Sequence, residues 1–375
     1  MFIYLLLLPI VIYFCSIIFF LLGIKKANYI QYNDKSKKAV SVIVCVRNGE
    51  LSLPNILNDL TNQKYNGELE FIIVDDESID RSSQVILEYA KKDSRIKYIN
   101  SKIDKSNLTL KKKALNVGIN FANHEFLLFT DVDCRVPENW VKGMIDNYNI
   151  NDYIIGYSEV IPNKTIVSKF QSIDFRMLMI SAFSSAASGY PLASSGQNQS
   201  YKKSLFLSVS GFNEIQNLLQ GDDTLFLQIC KKRKDIKVAF SMNEKSFIKA
   251  KTINNWVDFI RQRMRWSGDA NIMWKYNKYF YLVVISTFLT NLFIMASIII
   301  SFFDNSFLCI SILMIFIKYL LEFLLYFLGS KKIKRPIKCF SFIIWFVIQI
   351  PYIVLMGFLS FSAHKMNWKG RPSLL

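Results

Sequence analysis

Cysteine is present without pattern. The six cysteines, Cys15, Cys45, Cys134, Cys230, Cys309 and Cys339, are scattered along the chain. None forms a CxxC or a metal-ligand spacing, which excludes a thiolate metal cluster and a disulfide framework. Three of them fall in apolar runs, and all read as reduced thiols of a cytoplasm-facing protein. Internal repeats and low-complexity tracts are also lacking. Acidic residues are few: 29 Asp and Glu against 46 Lys and Arg give a net charge of +17. A nucleic-acid partner is the first reading of such a balance, yet no basic motif with interleaved aromatics occurs. Much of the excess instead flanks apolar runs, where lysine and arginine meet anionic headgroups and set topology.

Apolar sequence, by contrast, is abundant. The 375 residues are 51% apolar and 15% aromatic, with a mean hydropathy of +0.22. Residues 1–24 are nearly uncharged and, at about 1.5 Å per helical residue, long enough for a hydrocarbon core of about 30 Å. Similar runs occupy 279–303, 307–328 and 339–362. The third run carries Lys318 and Glu322 at i and i+4, a pair that can close across one turn and that marks either a bundle interior or a functional position. A signal peptide is the competing reading of the first run. Against it, no basic residue precedes the run, it exceeds a normal h-region, and no small-x-small site follows. Basic residues 25–37 and the loop SKKIKRPIK (330–338) place the middle segment in the cytoplasm by the positive-inside rule. The fourth run carries Pro351 and a basic tail (363–375), so it reads as either a crossing or a re-entrant segment.

Between the runs, residues 38–275 read as one domain in which strand and helix signals alternate. SVIVCV from Ser41, LEFIIVDD, RIKYIN and EFLLFTDVD are strands. Helices are expected up to about Gln63, from about Arg81 to Lys91, and from Leu110 to Ala122. Such alternation predicts an α/β fold with a mostly parallel sheet covered on both faces, and ligands beyond the strand carboxyl ends. Two acidic motifs, VDDES (Asp75, Asp76) and FTDVDC (Asp131, Asp133), stand at such ends. QGDD (Asp222, Asp223) precedes a helical stretch, and QRMRW (262–266) lies in an amphipathic stretch from Trp256 to Lys275 suited to a membrane surface. Each has an ordinary alternative: turn aspartates, N-capping carboxylates, a solvated lysine-rich helix start at 111–113, and interfacial Trp and Arg.

Taken in order, SVIVCVRNGE, VDDESID, KKKALN, FTDVDCRVPENW, SGQNQSYKK, GFNE, GDD and QRMRW resemble the membrane-bound family 2 glycosyltransferases. The resemblance covers residues 38–266 and extends to the flanking spans in general layout. It implies a GT-A nucleotide-sugar-binding domain with one N-terminal and two to three C-terminal transmembrane helices. The implied reaction is inverting transfer from a nucleotide-diphosphate sugar, with Mg²⁺ or Mn²⁺ neutralising the diphosphate through hard oxygen ligands. The implied roles are Asp133 as metal ligand, Asp131 as donor contact, Asp75 and Asp76 at the base and ribose, and Lys111 near the nucleotide. Asp223 is implied as the general base taking the acceptor hydroxyl proton, with Asp222 positioning. Gln262, Arg265 and Trp266 are implied at the acceptor and diphosphate side, and Gly196 and Asn198 near the donor sugar, after the small-residue stretch FSSAASGYPLASSG, expected as an adaptable loop. The acceptor is expected to be a lipid or lipid-linked glycan in a bacterial-type plasma membrane. The alternatives are a processive polysaccharide synthase and an inactive membrane scaffold of the same fold; the oligomeric state stays open.

Overall fold

The computed structural model describes residues 2–27 and 37–362. The basic tail 363–375 and most of the linker 25–37 fall outside the described residues. In chain order, α1 (Phe2–Lys26) leads to β1 (Val40–Val46), α2 (Leu53–Thr61), β2 (Leu69–Asp75), α3 (Ser82–Lys92), β3 (Ile96–Asn100), α4 (Leu110–Phe121) and β4 (Phe126–Asp131). Then follow α5 (Trp140–Ile145), β5 (Tyr153–Ile155), β6 (Ser158–Val160), α6 (Ile166–Ala187), β7 (Gln199–Lys202), α7 (Lys203–Ser208), α8 (Thr224–Cys230), β8 (Val238–Phe240) and β9 (Ile248–Ala250). The chain continues through α9 (Trp256–Gly268), α10 (Met273–Tyr276), α11 (Lys278–Ser301), α12 (Ser306–Lys332) and α13 (Cys339–Ser360).

Two compact units emerge, and each takes more than one stretch of chain. Among the described residues, one comprises 37–159 and 193–251; the other comprises 2–27, 160–192 and 252–362. The segment 38–275, expected as one domain, is thus shared between them: α6 and α9 cluster with the apolar helices.

The first unit is built on a seven-stranded sheet of order β3-β2-β1-β4-β7-β5-β8. The β1–β2, β1–β4 and β2–β3 pairs are parallel, whereas β7 runs antiparallel to both β4 and β5. The sheet is therefore mostly parallel, as expected. β1 and β2 are nearly continuous apolar runs because both faces are covered, and β2 is buried at every position. The amphipathic α2 buries Leu53, Ile56, Leu57 and Leu60, the i, i+3, i+4, i+7 pattern of one face. Every strand of the β1–β2–β4 centre points its carboxyl end to the same edge, which brings Asp75, level with Val46, and Asp131, level with Cys45, to one end of the sheet.

The second unit gathers the hydrophobic helices. Among the described residues, four are long and apolar enough to cross a membrane by length and composition: Leu8–Lys26, Lys278–Ser301, Ser306–Lys332 and Cys339–Ser360. The last is one continuous helix despite Pro351, which favours the crossing over the broken, re-entrant alternative. Lys318 and Glu322 pair at 2.8 Å inside the bundle. Glu322 also accepts from Tyr13 of α1 and from Gln349 Nε2 of α13 at 2.9 Å, so the charges serve a bundle interior. Residues 183–187 of the expected adaptable loop instead form the last turns of α6. The amphipathic stretch 256–275 is helical throughout, with a tighter 3₁₀ segment at Asp269–Ile272 joining α9, which ends at Gly268, to α10, which begins at Met273.

Candidate active site

The carboxyl edge of the sheet in the first unit collects the six expected acidic positions and a lysine. At the end of β2, Asp75 and Asp76 are both buried. Adjacent carboxylates need donors to share such a place, and each has them. Asp75 accepts from the Ser78 amide at 2.9 Å and from the Tyr98 hydroxyl at 3.3 Å; Asp76 accepts from Ser101 Oγ at 3.1 Å. Arg47 donates to the carbonyls of Asp76 and Glu77 at 2.7 and 3.0 Å, tying the β1 and β2 exits together. Asn48 and Glu77 there adopt positive φ angles of 48° and 56°, backbone strain that collects at ligand-binding loops.

Lys111, on the first turn of α4, stands between two motifs. Its Nζ lies 2.9 Å from Asp131 Oδ1 and 3.0 Å from Asp222 Oδ2. Burial opposes the charge, but the two carboxylates outweigh it and hold the ammonium well above the usual lysine range. Asp131, Asp133 and Cys134 each offer one ligand atom, all within 4.8 Å of one another. Asp133 is exposed and Cys134 buried. Burial, then the flanking aspartates, push the Cys134 thiol up, so the cluster presents two carboxylates beside a neutral thiol, a donor set that fits a hard divalent cation.

Asp223 caps α8, accepting from the Thr224 amide through Oδ1 and from the Gly196 amide through Oδ2 at 3.0 Å. The N-capping alternative is therefore real for Asp223, and it leaves the carboxylate beside Asp222. Burial, followed by the Asp222 charge, pushes the Asp223 carboxyl up to about 6. Gly221 holds φ at +107°, a conformation that only glycine adopts without strain. A Cβ on Gly196 would stand 3.2 Å from both Asp222 Oδ2 and Lys111 Nζ, so the bare backbone is what lets the loop approach.

Asn198 has another place. Its side chain donates to the Tyr157 and Ser246 carbonyls, both at 2.9 Å, and accepts from Trp140 Nε1 at 2.9 Å. It is fully buried and ties internal elements of this unit together.

Several residues not expected from sequence support the site. Lys112, 1% exposed, donates to the carbonyls of Leu218 and of Gln220 (3.2 Å for the latter), immediately before Gly221. Thr224 Oγ1 accepts from the Ser194 amide at 3.2 Å and donates to the Ser194 carbonyl at 2.9 Å. Gln199 Nε2 donates to the Asp222 carbonyl at 3.1 Å. Lys112 shares the i, i+3, i+7 row of Leu115 and Ile119, a sign of burial that its charge conceals.

Gln262, Arg265 and Trp266 belong to the second unit, on α9, which starts with Asn255 accepting from the Asp258 amide. All three are half-buried. Arg263, between them, is 4% exposed; its guanidinium lies 2.8 Å from Asp174 of α6 and 4.2 Å from the Trp266 ring centre.

A mostly parallel sheet with paired carboxylates at its carboxyl edge defines a GT-A-type protein. A mannosyltransferase from Pyrobaculum calidifontis, solved in complex with GDP-Man and Mn²⁺, has a similar fold: TM-score 0.59 over 96% of each chain at 12% identity. The pattern of glycosyl transferase family 2 matches residues 41–196. That of glycosyl transferase family group 2 matches residues 126–359, more than half of the chain, and the protein belongs to this family. An uncharacterized glycosyltransferase of Haemophilus influenzae is 30% identical over 33% of this chain and 38% of its own length. A poly-β-1,6-N-acetyl-D-glucosamine synthase of Staphylococcus epidermidis is 23% identical over 44% of this chain and 40% of its own. The chain thus spans well under half the length of these two relatives.

Proposed function

We propose that the protein transfers a sugar, with inversion, from a nucleotide-diphosphate sugar to a hydroxyl of a membrane-associated lipid or lipid-linked acceptor. The observation that carries this reading is Asp223: its carboxylate is fixed by two backbone amides and raised to about 6 beside the Asp222–Lys111–Asp131 chain. A base of that strength is ionised near neutral pH yet avid enough for a proton to assist attack. Asp223 takes the proton of the acceptor hydroxyl as that oxygen bonds to the anomeric carbon, and the bond to the nucleotide diphosphate breaks on the opposite face. No covalent enzyme intermediate is needed.

Asp133, with Asp131, would hold a divalent cation, Mg²⁺ or Mn²⁺, which when bound neutralises the departing diphosphate. Lys111 keeps Asp131 and Asp222 apart in charge while adding a cation on the donor side. Asp75 and Asp76 serve the base and ribose, Gly196 lets the backbone approach the sugar, and Gln262, Arg265 and Trp266 serve the acceptor and the diphosphate. The four apolar helices are read as membrane spans with the catalytic unit on the cytoplasmic side of a bacterial-type plasma membrane. This orientation is supported by the basic sequence at Lys25, Lys26 and 330–338.

The test is release of nucleoside diphosphate by the full chain in native lipid, with and without chelator, across a panel of nucleotide sugars. One donor should be turned over, and Asp223→Asn should abolish release. A processive synthase is the second reading, favoured by the likeness to the Staphylococcus epidermidis synthase; product length separates the two.

A further inference from the structure

Arg263 is an anomaly of α9. It occupies the i+4 position from Phe259 and the i−3 position from Trp266, a row that turns inward and that an apolar residue would ordinarily fill. The structure holds a buried cation there instead. Its charge is met by Asp174 at 2.8 Å and by the ring faces of Trp266 at 4.2 Å and Phe259 at 5.0 Å. Among the described residues, its nitrogens meet no hydrogen-bond acceptor of good geometry, so Asp174 and the rings carry the compensation. Asp174 in turn receives Trp345 Nε1 of α13 at 3.4 Å. Three helices of this unit, α6, α9 and α13, therefore meet at one carboxylate. The entry to α9 is tied to the same α6 surface, since Gln171 Oε1 accepts from the Ile253 amide at 2.9 Å.

A buried ion pair is weak as a stabiliser, because desolvation offsets its attraction, but it fixes register where an apolar contact could slide or rotate. Here the register it fixes is that of the helix bearing Gln262, Arg265 and Trp266. We propose that the Arg263–Asp174 pair positions the acceptor-side motif, setting the rotation of α9 and the plane of the Trp266 ring. Neither residue touches the reacting atoms; both act through Trp266 and its neighbours. The proposal rests on the glycosyl-transfer reading for its kinetic consequence, while its structural consequence stands alone.

The experiment uses the full chain in native-lipid nanodiscs, with Arg263→Met, Asp174→Leu, the double apolar variant and Arg263→Lys. Three readouts are taken: nucleoside-diphosphate affinity, turnover as native lipid is diluted into phosphatidylcholine, and the fluorine resonance of Trp266 after 5-fluorotryptophan labelling, assigned with Trp266→Phe. The double variant removes both charges together and so leaves no unpaired ion. It should fold and bind nucleotide within about two-fold of the parent, yet lose on the order of thirty-fold in turnover, the scale of a displaced substrate-positioning group. Its Trp266 resonance should move, and Arg263→Lys should recover part of the turnover. An unmoved Trp266 resonance in the double variant, or parental turnover in it, overturns the proposal. A parent protein that binds no nucleotide and turns over no donor defeats the glycosyl-transfer reading instead, and the Trp266 resonance still decides the positioning claim.

Discussion

The backbone amide of Gly196 donates to Asp223 Oδ2 at 3.0 Å, so a loop that lacks a side chain at that point holds the orientation of the carboxylate nominated as base. A methyl group there would press against Lys111 Nζ and Asp222 Oδ2 at 3.2 Å. Gly196→Ala should therefore keep the fold and reduce turnover roughly ten- to hundred-fold, because a shift of about 1 Å in a catalytic group has that effect. Circular dichroism checks the fold, and steady-state kinetics checks the loss.

The pH profile follows from the raised Asp223 carboxyl. A base must be ionised, so kcat/KM should be level above about 6 and fall as pH drops through it. Asp222→Asn removes a like charge and should move that limb to lower pH without abolishing it, since burial is the larger cause of the shift. Rates from pH 4.5 to 8.5, normalised for each protein, give the comparison. A limb unmoved in the variant would contradict the assignment.

Lys112 yields a stability prediction. Lys112→Met keeps the aliphatic volume but strips the Leu218 and Gln220 carbonyls of their donor. Each buried acceptor left unsatisfied costs on the order of 1–3 kcal/mol. Chemical denaturation in detergent should show the loss, with turnover falling as the turn before Asp222 and Asp223 loosens.

The cation is tested by chelation and by Asp133→Ala. Excess EDTA should suppress turnover and added Mn²⁺ or Mg²⁺ should restore it in the parent. Asp133→Ala should stay slow at cation concentrations that saturate the parent. Turnover indifferent to both would remove the metal from the account.

Much of this architecture was legible in the chain because its physics is local. VSVIVCV and LEFIIVD are mostly apolar and rich in β-branched residues, and aspartates end two of the central strands, so a parallel sheet with an acidic edge could be read directly. α6 was not legible. Residues 166–187 are buried on nearly every side, so no amphipathic stripe marks the helix, and the small residues from Phe183 onward read as an adaptable loop. Charge concealed Lys112 and Arg263 for a related reason: both occupy inward-facing rows whose partners, the 218–220 carbonyls and Asp174, come from distant sequence. The resemblance of its loop places Asn198 near the donor, but its side chain is taken up by Trp140 and by the Tyr157 and Ser246 carbonyls, partners that come from distant sequence.

The most direct test of the central claim is nucleoside-diphosphate release by the full chain in native lipid, comparing the parent with Asp223→Asn at matched nucleotide affinity. The account predicts release from one class of nucleotide sugar, falling by roughly 10²- to 10⁴-fold in the variant while nucleotide binding is retained. Parental release in Asp223→Asn would contradict Asp223 as the base.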